Sequence, residues 1–128
     1  MQDVTKRKIL RAVVIDDDPM THRYLDVVFK RNMDFIRLVG RAFGLKEGLE
    51  MIEKEKPDIV FTDIEMPDGS GFDLIDSFPE PSFAYVMLSS EIAYAERVSA
   101  YGALSFFSKP ISVNSLTRCM AAFYTSLS

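Results

Sequence analysis

Five short apolar runs, too continuous for half-exposed strands, alternate along this chain with segments of helical periodicity, and that alternation limits the fold more than any other feature. Residues 9–15 are nearly all apolar and lead into Asp16, Asp17 and Asp18, residues 59–62 lead into Asp63, and residues 83–88 lead into Ser89. Runs of this kind suit strands buried on both faces, as central strands of a parallel sheet are. Residues 35–39, which include Arg37, and the short aromatic run 104–107 suit strands nearer the sheet edges. Between the runs, Met20, Tyr24, Leu25 and Val28 share one helical face behind Pro19 at a first turn. Leu45, Leu49 and Ile52 mark a second helix that Pro57 stops, and Ile92, Ala95, Val98 and Ala100 mark another that Gly102 ends. A last helix starts near Val113, turns Leu116, Met120 and Phe123 inward, and takes Ser112 as its cap. The predicted fold is therefore α/β, a parallel sheet covered on both sides by right-handed crossovers. Such sheets bind ligands at the carboxyl ends of their strands, near the point where the winding reverses.

Size and charge narrow the function. The 128 residues, 48% of them hydrophobic, suffice for one domain with a real core. Residues 1–8 read as a polar leader and 9–128 as the folded unit, with a turn-rich stretch at 78–82. A net charge of -4 and a pI near 5.0 argue against a direct nucleic-acid partner, and Lys6, Arg7 and Lys8 read as a solvated tail. No apolar run approaches the roughly 20 residues of a bilayer span, and no secretion signal opens the chain. The lone Cys119 reads as a small core hydrophobe, so a cytoplasmic protein without membrane contact is expected.

The informative residues are those at the ends of the runs. Asp16, Asp17 and Asp18 follow the first strand and Asp63 ends the third, so the fold carries several carboxylates to one rim. Like charges brought that close either raise their pKa values or require a cation, and oxygen-only ligands suit Mg²⁺. Taken alone, the three consecutive acids read as well as a helix cap. Ser89 ends the fourth strand, however, and Lys109 the fifth. A carboxylate nucleophile, a cation, a hydroxyl and a lysine are the parts that phosphoryl transfer needs, because its catalysis is mostly positioning and charge neutralisation.

Four segments carry a resemblance: Val13-Val14-Ile15-Asp16-Asp17-Asp18-Pro19, Pro57-Asp58-Ile59-Val60-Phe61-Thr62-Asp63-Ile64-Glu65-Met66-Pro67 with Gly71, Met87-Leu88-Ser89-Ser90, and Gly102-Ala103 with Lys109-Pro110. Together they resemble the receiver domains of response regulators, from Leu10 to about Phe123. The resemblance implies a doubly wound five-stranded parallel sheet of order 2-1-3-4-5, flavodoxin-like and CheY-like. It implies that Asp63 accepts a phosphoryl group from the phosphohistidine of a sensor kinase or phosphotransfer protein and later loses it to water. The domain would then be a phosphoacceptor with self-catalysed chemistry only, and not a turnover enzyme. Asp17 and Asp63 would ligate Mg²⁺, with Mn²⁺ or Ca²⁺ as substitutes, Asp16 would act through a metal-bound water, and Glu65 would add its main-chain carbonyl. Ser89 and Lys109 would each bond a phosphoryl oxygen, the small Ser90 would leave the phosphoryl group room, and Asp18 would fall outside the metal shell. Phe106 matches the switch aromatic that swings inward as the hydroxyl at Ser89 moves toward the phosphate. The surface of the fourth and fifth helices and the fifth strand, with Tyr94, Arg97, Tyr101 and Arg118, would meet a downstream protein or output domain.

Some positions depart from the family pattern or fall outside it. Phe106 lacks the hydroxyl of the commoner tyrosine, and burial favours its inward rotamer. Pro79 and Pro81 predict a stubby third helix, and Gly44 and Gly48, each costing roughly 1 kcal/mol against alanine, predict a loose start to the second. Glu65 and Glu91 stand two residues past the acceptor and the hydroxyl, where an acid either repels hydroxide or orients a water. His22 is expected to be exposed and idle, one face away from the apolar stripe. Three rival readings remain. A flavodoxin-like cofactor binder needs a glycine- and hydroxyl-rich phosphate loop where Asp16, Asp17 and Asp18 stand. A phosphatase of the haloacid dehalogenase type would use Asp16 and Asp18 but needs a cap domain. A degenerate receiver would serve only as an interaction module, yet every matched site position is present.

Overall fold

A computed structural model describes residues 8–127. In chain order the elements are β1 (Leu10–Ile15), α1 (Pro19–Asn32), β2 (Ile36–Ala42), α2 (Leu45–Glu55), β3 (Ile59–Asp63), α3 (Gly71–Asp76), β4 (Ala84–Ser89), α4 (Ala95–Tyr101), β5 (Ser105–Ser108) and α5 (Val113–Ser126). A two-residue hairpin, Glu65–Met66 against Gly69–Ser70, joins β3 to α3, and a 3-10 turn, Ile92–Tyr94, precedes α4. The sheet runs β2-β1-β3-β4-β5 with every neighbour parallel, so the two runs expected at the edges do form the edge strands.

Side chains alternate across a strand, and here both sides are covered, which is why the central runs read as continuously apolar. From β1, Ala12 and Val14 enter a core with Leu25 and Phe29 of α1 and Leu116 and Met120 of α5. Val13 and Ile15 enter the other, with Ile52 of α2, Phe72 of α3 and Val98 of α4. Phe29 and Phe61 meet with centroids 5.2 Å apart, and burying each such side chain contributes about 1.5–3 kcal/mol. Asp58 fastens the lower edge: its Oδ2 accepts from the Arg11 N–H at 2.8 Å, and Lys8 pairs with its Oδ1 at 2.9 Å. Burial alone would raise the Asp58 pKa, but the Arg11 N–H and the Lys8 ammonium together bring it below the usual value.

The structure corrects several sequence expectations. Lys8 is exposed yet ion-paired with Asp58, whereas Lys6 and Arg7 lie outside the described residues. Phe35 is not in β2, which instead continues to Ala42 because a register shift between Ala12 and Val13 lets Val39 bulge and brings Gly40 opposite Val13. The inward face of α1 is rotated: Thr21, His22, Leu25, Val28 and Phe29 are buried, while Met20 is 62% exposed. In the fourth helical segment only Val98 is buried, and Ile92 lies outward. The start of α2 is not loose. Gly44 lies outside the helix as its N-cap, and Asp68 supplies the missing cap by accepting from Leu45 N–H at 2.7 Å and Lys46 N–H at 3.0 Å. Gly48 packs flush on β1, since a Cβ there would come within 2.9 Å of Ile15 Cδ1. As expected, α3 is short, at six residues, and Ser112 caps α5 by accepting from Ser115 N–H.

Gly71 lets α3 start directly beneath the end of β3. A Cβ at this position would lie 2.7 Å from the Asp63 carbonyl oxygen and 3.3 Å from Ile64 Cα, both backbone atoms that have no rotamer to yield. Gly71→Ala is therefore expected to cost about 1–3 kcal/mol, as overpacking does, and to lower Tm by several degrees in a thermal unfolding scan followed by circular dichroism. An unchanged Tm would mean that the contact is not as close as described.

Candidate functional site

Each strand end delivers its polar residue in a different state. Asp16 stays in line with the sheet because its N–H donates to the Ala42 carbonyl at 3.0 Å, and its side chain is fully buried. Its Oδ1 accepts from Asp18 N–H at 2.8 Å and its Oδ2 from Lys109 Nζ at 2.7 Å. Asp17 is exposed. Asp18 caps α1, its Oδ1 accepting from Met20 N–H at 2.9 Å, so one of the three consecutive acids is a helix cap and the other two are left for the rim. Asp63, 6% exposed, ends β3, and carboxylate oxygens of Asp16, Asp17 and Asp63 all lie within 4.8 Å of one another.

Lys109 joins this cluster from the far side of the sheet. Its backbone N–H donates to the Ser89 carbonyl at 2.8 Å, and its Nζ lies 2.7 Å from Asp16 Oδ2 and 3.5 Å from Asp63 Oδ1. Burial opposes the ammonium, but the hydrogen bond and charge of Asp16, with Asp63 beside it, raise the Lys109 pKa above the ordinary value. For Asp63 the balance goes against ionisation. Burial and the neighbouring Asp16 push its pKa up to about 7, with Asp17 adding to the rise and Lys109 opposing it. The Asp63 carbonyl accepts from the Thr62 hydroxyl at 2.9 Å, which steadies the strand end. Ser89 is buried at the end of β4, and its Oγ accepts from Glu91 N–H at 2.9 Å. Ser90 and Glu65 are exposed, and Phe106 is half-buried against the core that contains Val98. The three carboxylates offer only hard oxygen donors, and the exposed Asp17 leaves one side open to solvent, which fits Mg²⁺ with its retained waters.

The profile of the response regulator receiver domain matches residues 12–121. This chain belongs to that family. A receiver of this kind is similar to the transcriptional regulatory protein BtsR of Escherichia coli strain K12, at 29% identity over 114 residues, covering 88% of the chain and 47% of the relative. It is 33% identical over 119 residues to a protein-glutamate methylesterase/protein-glutamine glutaminase of Pyrococcus abyssi, covering 87% of the chain and 32% of the relative. The chain thus spans about half or less of the length of these relatives. The isolated REC domain of RcsB from Salmonella enterica serovar Typhimurium, in the presence of phosphomimetic BeF3-, shares the fold with a TM-score of 0.84 at 18% identity, over 92% of this chain and 90% of that one. Receiver domains bind Mg²⁺ at an acidic pocket, and this chain gathers Asp16, Asp17 and Asp63 in one acidic cluster. No helix of the described residues is long and apolar enough to cross a membrane.

Reading the sequence missed two supports of the receiver site. His22 is buried, not exposed: its Nε2 lies 2.8 Å from the Asp16 carbonyl oxygen, and its ring meets Phe43 at 4.3 Å with the two planes tilted by 35°. The signal lies in the sequence, since His22, Leu25 and Phe29 recur at helical spacing on the face one step round from the stripe of Met20 and Tyr24. Asp68 caps a helix that begins 23 residues earlier, and no local spacing reports such a contact. Two residues of the expected contact surface are engaged within the fold. Tyr101 Oη donates to Asp76 Oδ1 at 3.0 Å, and the Arg97 guanidinium lies 3.9 Å from the centre of the Phe72 ring.

A carboxyl whose folded pKa lies above its unfolded value near 4 keeps an extra proton in the native state. With the Asp63 pKa at about 7, native stability without a divalent cation is expected to fall as pH rises from about 4 to about 7. Asn cannot ionise, so Asp63→Asn is expected to lose less stability than the parent between pH 5 and pH 8. Urea unfolding in EDTA measures both, and equal pH dependence in the two proteins would count against the assignment.

Proposed function

We propose that Asp63 is the phosphoacceptor of this receiver, that Asp17 and Asp63 hold Mg²⁺ directly, and that Asp16 acts on the ion through a bound water, with the Glu65 main-chain carbonyl completing the protein ligands. The observation that carries this reading is the meeting of Asp16, Asp17 and Asp63 within 4.8 Å beside a lysine that contacts two of them. Mn²⁺ or Ca²⁺ would substitute, because the donor set is oxygen alone.

A carboxylate oxygen of Asp63 attacks the phosphorus of a phosphohistidine on a sensor kinase or phosphotransfer protein. The O–P bond forms as the P–N bond breaks, and the imidazole leaves with its partner. Water later attacks the acyl phosphate, releasing inorganic phosphate and restoring the carboxylate. The catalytic groups for both steps would come from the receiver and the ion it would hold, so the domain would catalyse its own modification and turn over no separate substrate. Held by Asp17 and Asp63, the ion would supply charge neutralisation for the phosphoryl oxygens. Lys109 adds an ammonium already held beside the nucleophile, in the manner of preorganised transition-state stabilisation. Ser89 supplies a hydroxyl donor: its oxygen accepts from Glu91 N–H, which leaves its own proton for a phosphoryl oxygen. Ser90 leaves the group room to enter.

The switch follows from the same residues. Movement of Ser89 toward the phosphate vacates space that the Phe106 ring fills, a bias between two packings that partners read on α4, β5 and α5. The inward ring would rest on van der Waals contact alone, since it carries no hydroxyl. Partners would be a cytoplasmic kinase upstream and a downstream protein or output domain, with no direct nucleic-acid contact by this domain.

Incubation with acetyl phosphate and Mg²⁺ followed by intact mass measurement is expected to add one phosphoryl group to the parent and none to Asp63→Asn. Equal labelling of both would place the acceptor elsewhere. Lys109→Met is expected to slow labelling by roughly 10²-fold, the scale of losing one preorganised donor, in a time course of the same mass measurement. A rate equal to the parent's would remove Lys109 from the chemistry.

A further inference from the structure

One buried polar side chain has no part in that chemistry. His22 is 1% exposed, and its Nε2 lies 2.8 Å from the main-chain oxygen of Asp16. A carbonyl only accepts, so Nε2 carries the proton and donates it. In the neutral ring Nδ1 is then an acceptor, and it finds no partner among the described residues. Burying an acceptor without a partner is unfavourable, and an apolar side chain of similar size would avoid that cost. What histidine supplies and leucine does not is the N–H. The ring has little freedom to take it elsewhere: it is buried, Phe43 packs against it at a tilt with centroids 4.3 Å apart, and the Phe43 N–H is itself tied to Glu47 Oε1 at 2.7 Å.

The oxygen that His22 holds belongs to the peptide joining Asp16 to Asp17. That unit is planar, so fixing its oxygen also fixes the direction in which the chain reaches Asp17 Cα. Asp16 needs no such help, because both its carboxylate oxygens are already bonded. Asp17 is different. It is exposed, and its side chain makes no hydrogen bond or ion pair among the described residues, yet its carboxylate lies within 4.8 Å of those of Asp16 and Asp63. Its backbone is therefore what aims it.

We propose that His22 is a positioning residue for the metal site, its Nε2–H holding the Asp16–Asp17 peptide so that the Asp17 carboxylate faces the cation shared with Asp63. The inference rests on the Mg²⁺ reading above, and it concerns equilibrium metal affinity before any phosphoryl group arrives. Outer groups that orient metal ligands typically change affinity by about 10–100-fold when removed, and that is the size expected here.

The test is calorimetric titration of Mg²⁺ into the full chain and its variants, each shown folded by circular dichroism. His22→Gln places an amide N–H near the position of Nε2 and is expected to keep close to the parent affinity. His22→Asn reaches only as far as Nδ1, and His22→Leu has no donor, so both are expected to bind Mg²⁺ about 10–100-fold more weakly. Val28→Ala truncates a core side chain further along α1; it is expected to lower Tm and leave the Mg²⁺ affinity unchanged, which separates positioning from general loosening of the helix. Should His22→Leu fail to fold, the contrast between Gln and Asn decides. Parent-like affinity in the Asn and Leu variants, or a Gln variant as weak as Asn, would overturn the proposal, as would an Nδ1–H tautomer in the ring ¹H–¹⁵N spectrum. If the parent itself binds no Mg²⁺, the metal reading falls and this inference with it; if the parent binds and the variants match it, only the role of His22 falls.

Discussion

Three carboxylates held within 4.8 Å repel one another, and the rest of the site is arranged around that repulsion. Two unit charges about 4 Å apart interact by about 4 kcal/mol at an effective dielectric near 20, a large share of a domain stability of roughly 5–15 kcal/mol. Lys109 offsets part of it from the end of β5, reaching Asp16 at 2.7 Å and Asp63 at 3.5 Å. The remainder shows in Asp63, whose pKa rises to about 7 under burial and the charge of Asp16. A divalent cation would remove that remainder. Ionisation of Asp63, folding stability and the binding of any such cation would in this way be coupled through one small volume.

The sheet makes the arrangement rigid. Asp16 and Asp63 leave adjacent parallel strands on the same side, and Lys109 is tied by its backbone N–H to the Ser89 carbonyl, so the ammonium and the hydroxyl share one strand pair. Gly71 allows α3 to pack against the Asp63 carbonyl, and Asp68 fixes the hairpin between them to the first turn of α2. Asp63 is thus held from the strand before it and the loop after it.

Much of this could be read from residue order, for identifiable reasons. Burial on both faces makes a central parallel strand a continuous apolar run, and the residue that ends such a run sits on the rim, so Asp16, Asp63, Ser89 and Lys109 could be placed together before any coordinates. The errors fell where packing choices are local. On α1 two candidate stripes differ by one step, and hydrophobicity favoured the one with Met20 and Tyr24 over the one with Thr21 and His22. A polar residue on a buried face counts against that face unless its partner is known, and the partner of His22 is a main-chain oxygen.

The order of apolar and polar residues by itself determined the α/β class, the edge positions of β2 and β5 and the identity of the rim groups, because those follow from periodicity and from where each run stops. Only the tertiary structure decided which acid caps α1 and which two face the cluster, that Lys109 takes Asp16 before Asp63, and that His22 and Asp68 bond the backbone after β1 and at the start of α2. Those outcomes depend on distances between residues far apart in the chain, and a linear pattern carries no measure of such distances.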